Sequence, residues 1–569
     1  MPIVEKKNGQ KIAASSLWLP GAVRNEHYSF ESHKLLRAGK LRVYKDLDPV
    51  PFTIPVDWEM DPFELKSWRM YFQSLNWIHG YRLAYDKGDS EALDTMVNIL
   101  NDWWLKNHHR EEPEAMVWDD HATSDRLANI CSIITLLNHP YEKIPELDAM
   151  VNRHVQTLCG FYDSKKWIRN NHAVFHVGAL LDAHLMGFSE KIGVECLQVA
   201  TDYLREFISS VINEDSGFSV EQSMFYHQFL VRILRPLLRL ARDTGVIEID
   251  HIQSAIERVE GFAKLVSTSD GTTFAIGDTS FGFRFPKTMA DQVADDGLYC
   301  YPSSGIGLFR DCQNGGEHLA LLSCPPRKAG HGHYDPLNFM LIRDGKKLLI
   351  DSGGPYAYGD KLRYEYFRAA YAHNVPCIDS VTGWQQSTIQ AYDEGQFPWI
   401  IATSKQDTVV ITRAVISLGQ GDYLVADSLA SPTSFSATIP WHIAPDRSIT
   451  HVEIFDQGIG MQCQLEQQNA QSPAVTFRSS HSSKAEFMIH RSRDDPSTSS
   501  WTTSGIRDKR PTPLILQRIE DTKFHASVMA VGCDVTEPKL LKFEEGFLRF
   551  SHGNRTFEID VFAFTITHK

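Results

Sequence analysis

The pattern of apolar and polar positions changes character once along this chain, near residue 300. Before it, apolar residues recur at spacings of three and four. Leu65, Trp68, Phe72, Leu75 and Ile78 share one face of a helix at 3.6 residues per turn. Leu93, Met96, Leu100 and Trp103 or Trp104 repeat the pattern behind Asp89-Ser90, which reads as an N-cap. The same spacing predicts helices around 122–137, 145–160, 171–187, 191–212, 222–243 and 250–267. Many helices with short connections imply hairpins gathered into a toroid or bundle.

Beyond residue 300 the apolar runs shorten and turn residues separate them. Lys347–Asp351, Thr408–Thr412, Tyr423–Ala426, Ala485–His490 and Phe557–Phe562 are rich in β-branched and aromatic residues, the composition of strands in an antiparallel sandwich. Arg491–Arg510, rich in Ser, Thr, Asp and Pro, reads as a surface loop. The expectation is a multidomain α+β chain. A helical domain occupies 1–298 and an antiparallel β-sandwich domain 299–569, with room for a smaller terminal β subdomain.

Length agrees: 569 residues exceed what one hydrophobic core serves. Hydrophobic residues make up 42% and charged residues 22%, which excludes a disordered chain. The formal net charge of -14 disfavours a nucleic-acid partner, although an acidic total still allows a locally basic cleft for a polyanion. No run of about 18 apolar residues occurs, and the first residues lack the apolar core of a secretory signal. The nine cysteines are scattered without a CxxC pair, as reduced thiols would be. A cytoplasmic location without membrane association follows from the chain as given. A removed signal would make it periplasmic or secreted. Oligomeric state is not legible.

Three constellations carry chemistry. Arg169-Asn170-Asn171-His172 precedes a helix rich in small residues (Ala173, Gly178, Ala179). These side chains either cap the helix or present donors to a substrate carboxylate. Glu221-Gln222-Ser223-Met224-Phe225-Tyr226-His227 places Tyr226 at a helix start, as a half-buried core residue or a proton-transfer group. Behind it Arg232, Arg235, Arg239 and Arg242 form a basic stripe, usually a solvated face. The third is Gly330-His331-Gly332-His333-Tyr334-Asp335, answered by Asp351-Ser352-Gly353-Gly354 and Ala372-His373-Asn374. Histidines two apart on a strand point to one face. His333, Asp351 and His373 suit zinc or manganese, or else a His–Asp network closing a sheet edge. Together the three constellations suggest a site assembled from two domains.

Taken as a set, these motifs resemble the heparinase II/III-like polysaccharide lyases, including their alginate-lyase relatives. The likeness rests on Gly330–Asp335, Lys347–Gly354 and Tyr366–Asn374. Asn171-His172, Ser223-x-x-Tyr226-His227, Gly277-Asp278 and Trp118–Arg126 fall in the expected order. The resemblance implies an N-terminal incomplete (α/α) toroid followed by a C-terminal antiparallel β-sandwich. It also implies β-elimination at a uronic acid of an anionic polysaccharide. On this likeness Asn171 neutralises the substrate carboxylate, assisted by His172. Tyr226 and His331 transfer protons, and Tyr358, or alternatively Tyr356, is a further active-site tyrosine. His121, Arg126 and Gln222 contact substrate. His333, Asp351 and His373 hold a divalent metal, zinc or manganese, with a structural role. The implied substrates are glycosaminoglycans such as hyaluronan, chondroitin sulfate or heparan sulfate. Alginate or another oligouronate is the alternative, and a non-catalytic carbohydrate-binding or envelope-assembly protein is the third reading.

Overall fold

A computed structural model describes residues 3–5, 11–13, 17–18, 30–44, 47–166, 170–290, 294–312, 316–455, 460–467, 475–482, 485–491, 500–505, 507–533, 535–544 and 546–569. The chain forms two compact units. The first comprises residues 1–212 and 229–257, the second residues 213–228 and 258–569. The chain therefore passes between them three times, after Ile212, after Gln228 and after Glu257.

Unit 1 is helical. Its main helices are α1 (Phe30–Arg37), α2 (Lys66–Gln73), α3 (His79–Asp86), α4 (Glu91–Asn107), α5 (Asp120–Ile134), α6 (Leu147–Asp163), α7 (His172–Leu185) and α8 (Cys196–Val211). Two further helices, α9 (Met224–Thr244) and α10 (Asp250–Leu265), each contribute residues to both units. Successive helices pair: α3 with α4, α5 with α6 and α7 with α8, while α7 also packs on α5. In α5 every residue from His121 to Ile134 is buried, and nearly all of α7 is, so these are central helices with no solvent face. A Cβ on Gly178 would lie 2.5 Å from the Trp18 ring. The small residue at this position admits the indole, whose backbone N–H donates to Asp182 Oδ1 at 2.9 Å.

The helices fall near where the periodicity places them, except that the 65–78 stretch breaks at Leu75, whose φ is 58, so α2 ends at Gln73 and Asn76–Ile78 is a separate 3-10 turn. One cap also differs. Ser90 has helical backbone angles and makes no side-chain cap bond. The Asp89 carboxylate instead accepts from Arg37 Nη2 at 2.7 Å and lies 3.3 Å from His33 Nε2. A cation within reach outcompeted the local cap. In the basic stripe Arg235, Arg239 and Arg242 are exposed and Arg232 is half-buried, as a solvated face requires.

Unit 2 is built from antiparallel sheets. Strands β1 (Gly297–Tyr301), β2 (Ile306–Asp311), β3 (His318–Ser323), β4 (Asn338–Arg343) and β5 (Lys346–Leu349) form one sheet in sequential order. The larger sheet uses β6 (Cys377–Ile378), β7 (Ser387–Asp393), β8 (Trp399–Gln406), β9 (Val409–Gly419), β10 (Asp422–His442), β11 (Arg447–Phe455), β12 (Gly460–Gln467), β13 (Val475–His481), β14 (Glu486–Arg491) and, after a hairpin of β15 (Trp501–Gly505) and β16 (Asp508–Pro511), β17 (Pro513–Gly532). Its order is β7-β8-β9-β10-β17-β13-β12-β11, with β6 on β10 and β14 on β17. A terminal four-stranded meander contains β18 (Pro538–Glu544), β19 (Phe547–His552), β20 (Arg555–Asp560) and β21 (Thr565–His568).

Two-residue alternation explains the layering. Tyr423, Val425, Met529 and Val531 face a core shared with Leu322, Phe339 and Leu341 of the five-stranded sheet. Their neighbours Leu424, Ala426, Val528 and Ala530 face a second core with Leu548, Phe550 and Phe557 of the meander. The large sheet is thus buried on both faces, between a sandwich partner and a terminal β subdomain.

Two local expectations differ. Residues 331–333 are in the loop between β3 and β4, not on a strand. The segment 491–510 is only partly described, and its described end is the β15–β16 hairpin, with Trp501 buried against Tyr366. Trp501 supplies an apolar anchor within an otherwise polar stretch. Among the described residues no helix is long and apolar enough to cross a membrane.

Candidate functional site

The sandwich fixes the loops that carry the third constellation. Arg413 of β9 pairs with Asp427 directly across on β10, Nε to Oδ1 at 2.7 Å and Nη2 to Oδ2 at 2.8 Å. Its Nη1 donates to the carbonyls of Leu337 and Asn374 at 2.8 and 2.6 Å. Asn374 donates through Nδ2 to Phe339 and Ile350 carbonyls and accepts from His442 N. These bonds hold the loops bearing His333, Asp351 and His373 at one end of the sandwich.

Tyr226 arrives from the start of α9. The Ser223 hydroxyl lies 3.4 Å from Tyr226 N, as a helix cap, and also donates to the Asp278 carbonyl at 3.1 Å. Gly277 has φ +59, and a Cβ there would meet the Gln222 and His331 carbonyl oxygens at 2.2 and 2.5 Å. Glycine at this position lets three backbone segments converge, with Asp278 N donating to His331 O at 2.8 Å.

The result is a cluster around a fully buried carboxylate. Asp278 Oδ2 lies 2.9 Å from His331 Nδ1, 3.1 Å from the Tyr358 hydroxyl and 2.6 Å from Arg363 Nη2. Its Oδ1 lies 3.2 Å from His333 Nε2. Burial pushes the Asp278 carboxyl up, but the bonds and charges of His331 and His333 outweigh it and hold it well below the usual carboxylate range. An ionised Asp278 accepts only. His331 therefore carries its hydrogen on Nδ1, leaving Nε2 with the lone pair, and His333 carries its hydrogen on Nε2.

The imidazole of His331 stacks on the ring of Tyr226, centroids 3.5 Å apart and planes 14° from parallel. The Tyr226 and Tyr358 hydroxyls are 2.7 Å apart. Burial, then Tyr226 and Asp278, push the Tyr358 phenol far above its ordinary value. It keeps its proton and gives it to Asp278, so the Tyr226 hydroxyl donates to the Tyr358 oxygen. Of the two alternative tyrosines, Tyr358 joins the cluster. Tyr356 stacks on Phe367 instead, at 5.1 Å. Gln222 borders the cluster, buried, with its Nε2 donating to Arg327 O at 2.9 Å. A substrate would have to compete with that bond.

His333, Asp351 and His373 converge as the sequence pattern suggests. One ligand atom from each lies within 4.8 Å of the others, and all three residues are buried. His373 Nδ1 bonds Asp351 Oδ2 at 2.8 Å, which turns its Nε2 lone pair inward. His333 Nδ1, His373 Nε2 and Asp335 Oδ2 are buried without a hydrogen-bond partner. Two partnerless imidazole nitrogens beside a carboxylate are a donor set that fits a divalent cation. The Asp278 bond to His333 and the Asp351 bond to His373 are the outer partners that orient such ligands. Burial pushes neighbouring Asp335 up to about 7.

The unit 1 candidates form a second group, on α5 and α7. Asn170, not Asn171, supplies the cap at α7: its Oδ1 accepts from His172 N at 3.1 Å, and Asn171 makes no cap bond. Arg169 lies outside the described residues. The His121 and His172 rings stack, centroids 4.5 Å apart. Arg126 is a correction. It is fully buried, lies over the Trp103 ring at 3.8 Å, and donates to His154 Nε2, Gln73 O and Val117 O. Each guanidinium nitrogen makes a bond inside unit 1, and the side chain is fully buried, so Arg126 ties the helices together. His121 is likewise buried, beside Asp125 at 3.7 Å.

Three residues escaped the sequence reading as site members. Asp278 and Asp120 lie within recognised motifs, Gly277-Asp278 and Trp118-Asp119-Asp120-His121, whose spacing alone does not say which side chain is central. Arg363 had no local signal, because its partner is 85 residues away.

Comparison with known proteins agrees with this architecture. Residues 301–520 match the family model described as heparinase II/III-like, C-terminal. No curated protein matches the chain in sequence. Among solved structures, a heparinase III superposes with TM-score 0.70 at 12% identity, covering 98% of this chain and 93% of the other. The heparan sulfate lyase of Pedobacter heparinus gives 0.62 at 14%, covering 97% and 89%. The chondroitin AC lyase of Streptomyces coelicolor gives 0.53 at 11%, covering 96% and 88%. At such identities the structural likeness concerns the fold, an (α/α) toroid followed by an antiparallel β-sandwich. Residues 301–520 thus match the heparinase II/III-like C-terminal family model, and the chain as a whole shares the fold of these solved lyases.

Proposed function

We propose that this protein cleaves a uronate-containing glycosaminoglycan by β-elimination. The observation that carries the reading is the stacked Tyr226–His331 pair, with the Tyr226 hydroxyl 2.7 Å from Tyr358 and His331 Nδ1 2.9 Å from Asp278. The reaction removes the proton at C5 of the uronate. The electron pair left behind becomes the C4–C5 double bond, and the C4–O bond breaks with a proton delivered to the leaving oxygen.

The cluster supplies each of these needs. Asp278 holds the His331 hydrogen on Nδ1, so Nε2 carries the lone pair that a base needs. The Tyr226 hydroxyl, linked to Tyr358, is a proton donor for the leaving oxygen and, for one C5 configuration, the base as well. Each such group contributes about 10²–10⁴ in rate. Asn171 belongs to the same proposal as the amide that answers the substrate carboxylate, assisted by His172, where negative charge builds after C5 loses its proton. His333, Asp351 and His373 would hold a divalent metal, zinc or manganese, whose contribution when bound is to brace the loop between β3 and β4. His331, two residues from His333, inherits that rigidity.

The test is incubation with hyaluronan, chondroitin sulfate, heparan sulfate and alginate, reading ultraviolet absorbance of the unsaturated product. Absorbance growth on a glycosaminoglycan is the expected result. Growth on alginate alone changes the substrate class, and none on any polymer overturns the reading.

A further inference from the structure

A second buried polar chain lies within unit 1, and it ends on His172. Asp119 caps α5, accepting from His121 N at 3.1 Å and Ala122 N at 3.3 Å. That task leaves the next carboxylate, Asp120, free to face α7. Asp120 Oδ2 lies 3.1 Å from His172 Nδ1 and 3.3 Å from His176 Nε2. His172 and His176 are four residues apart on α7 and so share a face. His176 Nδ1 is 2.6 Å from the hydroxyl of Tyr203 on α8.

The hydrogens in this chain follow from chemistry. Burial first, and Asp120 next, hold the Tyr203 phenol far above its ordinary value, so it stays protonated. It donates to His176 Nδ1, which places the His176 hydrogen on Nε2, toward Asp120. Burial opposes ionisation of Asp120, yet His172 and His176 hold its carboxyl well below the usual range. An ionised Asp120 then draws the His172 hydrogen to Nδ1. Side-chain exposure rises from nil at His176 to 28% at His172. The other titratable groups around the chain are Asp119 and His121 at the start of α5, the latter stacked on His172, and Tyr162 of α6 beside Tyr203.

We propose that Asp120 is a positioning residue for His172, holding its hydrogen on Nδ1 and stabilising the imidazolium that, with Nε2 protonated, assists Asn171 at the substrate carboxylate. His176 and Tyr203 serve as its backing. The catalytic consequence rests on the lyase reading above. The bland alternative is a polar tie joining three helices. That role predicts lost stability and no specific effect on His172.

The test is Asp120→Asn, which keeps the shape and removes the charge. Such a change at the partner of a working histidine favours the wrong tautomer. Nitrogen-15 imidazole spectra of the full chain should show Nδ1–H for His172 in the wild type. In the variant the tautomer should shift, and the pKa should fall by about one unit, a tenfold change in proton affinity. Against the polymer that serves as substrate, kcat should drop at least about tenfold with KM little changed, and the limb of the pH profile set by His172 should move down with its pKa. Tyr203→Phe, a milder cut at the far end, should move the His172 pKa in the same direction by less. Unchanged His172 spectra in a folded Asp120→Asn variant overturn the proposal. So does a shift in the spectra without any change in kcat or the pH profile. If the wild type turns over no polymer, the lyase reading fails, and the spectra still decide whether Asp120 positions His172.

Discussion

The imidazole of His331 lies flat on the phenol of Tyr226, ring centroids 3.5 Å apart, and the hydroxyl of Tyr226 reaches past it to Tyr358. The two groups proposed to transfer protons therefore share one face but hold their exchangeable protons at different points. Replacing Tyr226 by Phe keeps the stack and deletes the hydroxyl. Turnover should fall by about 10²–10⁴, while circular dichroism and the melting temperature stay near wild type, because the ring contacts survive. Near-normal product formation by the variant would remove Tyr226 from the chemistry.

Asp278 gives a different signature. It sits under four donors, and Arg363, itself buried, has it as an ion-pair partner at 2.6 Å. Asp278→Asn leaves that guanidinium without a counter-charge, a change of the kind that costs about 3–5 kcal/mol. Denaturant titration should show a large loss of stability together with loss of activity. Adding Arg363→Gln should restore part of the stability, because the uncompensated charge is gone, but none of the activity. A double variant as unstable as the two singles summed would show that the two residues are not coupled.

How much of this was legible beforehand depended on the range of the interaction. Helical periodicity and strand alternation are local, so α4 and β9 stand where the pattern puts them. The metal-type set His333, Asp351 and His373 was readable because each residue sits in a short motif with few alternative roles. What failed was any choice between two neighbours competing for one task. Asn170 takes the cap that leaves Asn171 without it, and Asp119 takes the cap that leaves Asp120 to the histidines. Arg126 looked like a cation for an anionic polymer, but three acceptors and a tryptophan ring, brought together by helix packing, engage it. Asp278 became the centre only once segments 53 to 85 residues apart met around it.

The His333, Asp351 and His373 donor set predicts a bound metal that supports structure. Protein purified without chelator should contain zinc or manganese by elemental analysis. Extended dialysis against EDTA should remove it and lower the melting temperature. His373→Ala, which deletes a partnerless buried nitrogen, should abolish metal content even in metal-supplemented medium. A metal-free protein with the same melting temperature as the purified one would contradict a bracing role.

Acid sensitivity can be assigned to an individual buried histidine, His227. Its Nδ1 accepts from Ser219 N at 3.2 Å and its Nε2 donates to Val259 O at 2.8 Å, so both nitrogens are used by a neutral ring. Burial lowers its pKa from 6.5 to about 4. Between those values the unfolded chain binds a proton that the folded chain refuses. The contribution of His227 is therefore complete above pH 6.5 and lost progressively as pH falls toward 4, by at most about 3 kcal/mol. Carboxyls raised by burial, such as Asp182, act in the opposite sense, so the stability curve of the whole protein mixes both signs. The difference between wild type and His227→Gln isolates one group. Glutamine keeps a donor for Val259 and does not titrate. At pH 7 the variant should be the less stable protein, and that deficit should shrink as pH is lowered from 6.5 to 4.5, read as converging urea midpoints. A deficit that stays constant across this range would mean that His227 does not titrate differently in the folded and unfolded states.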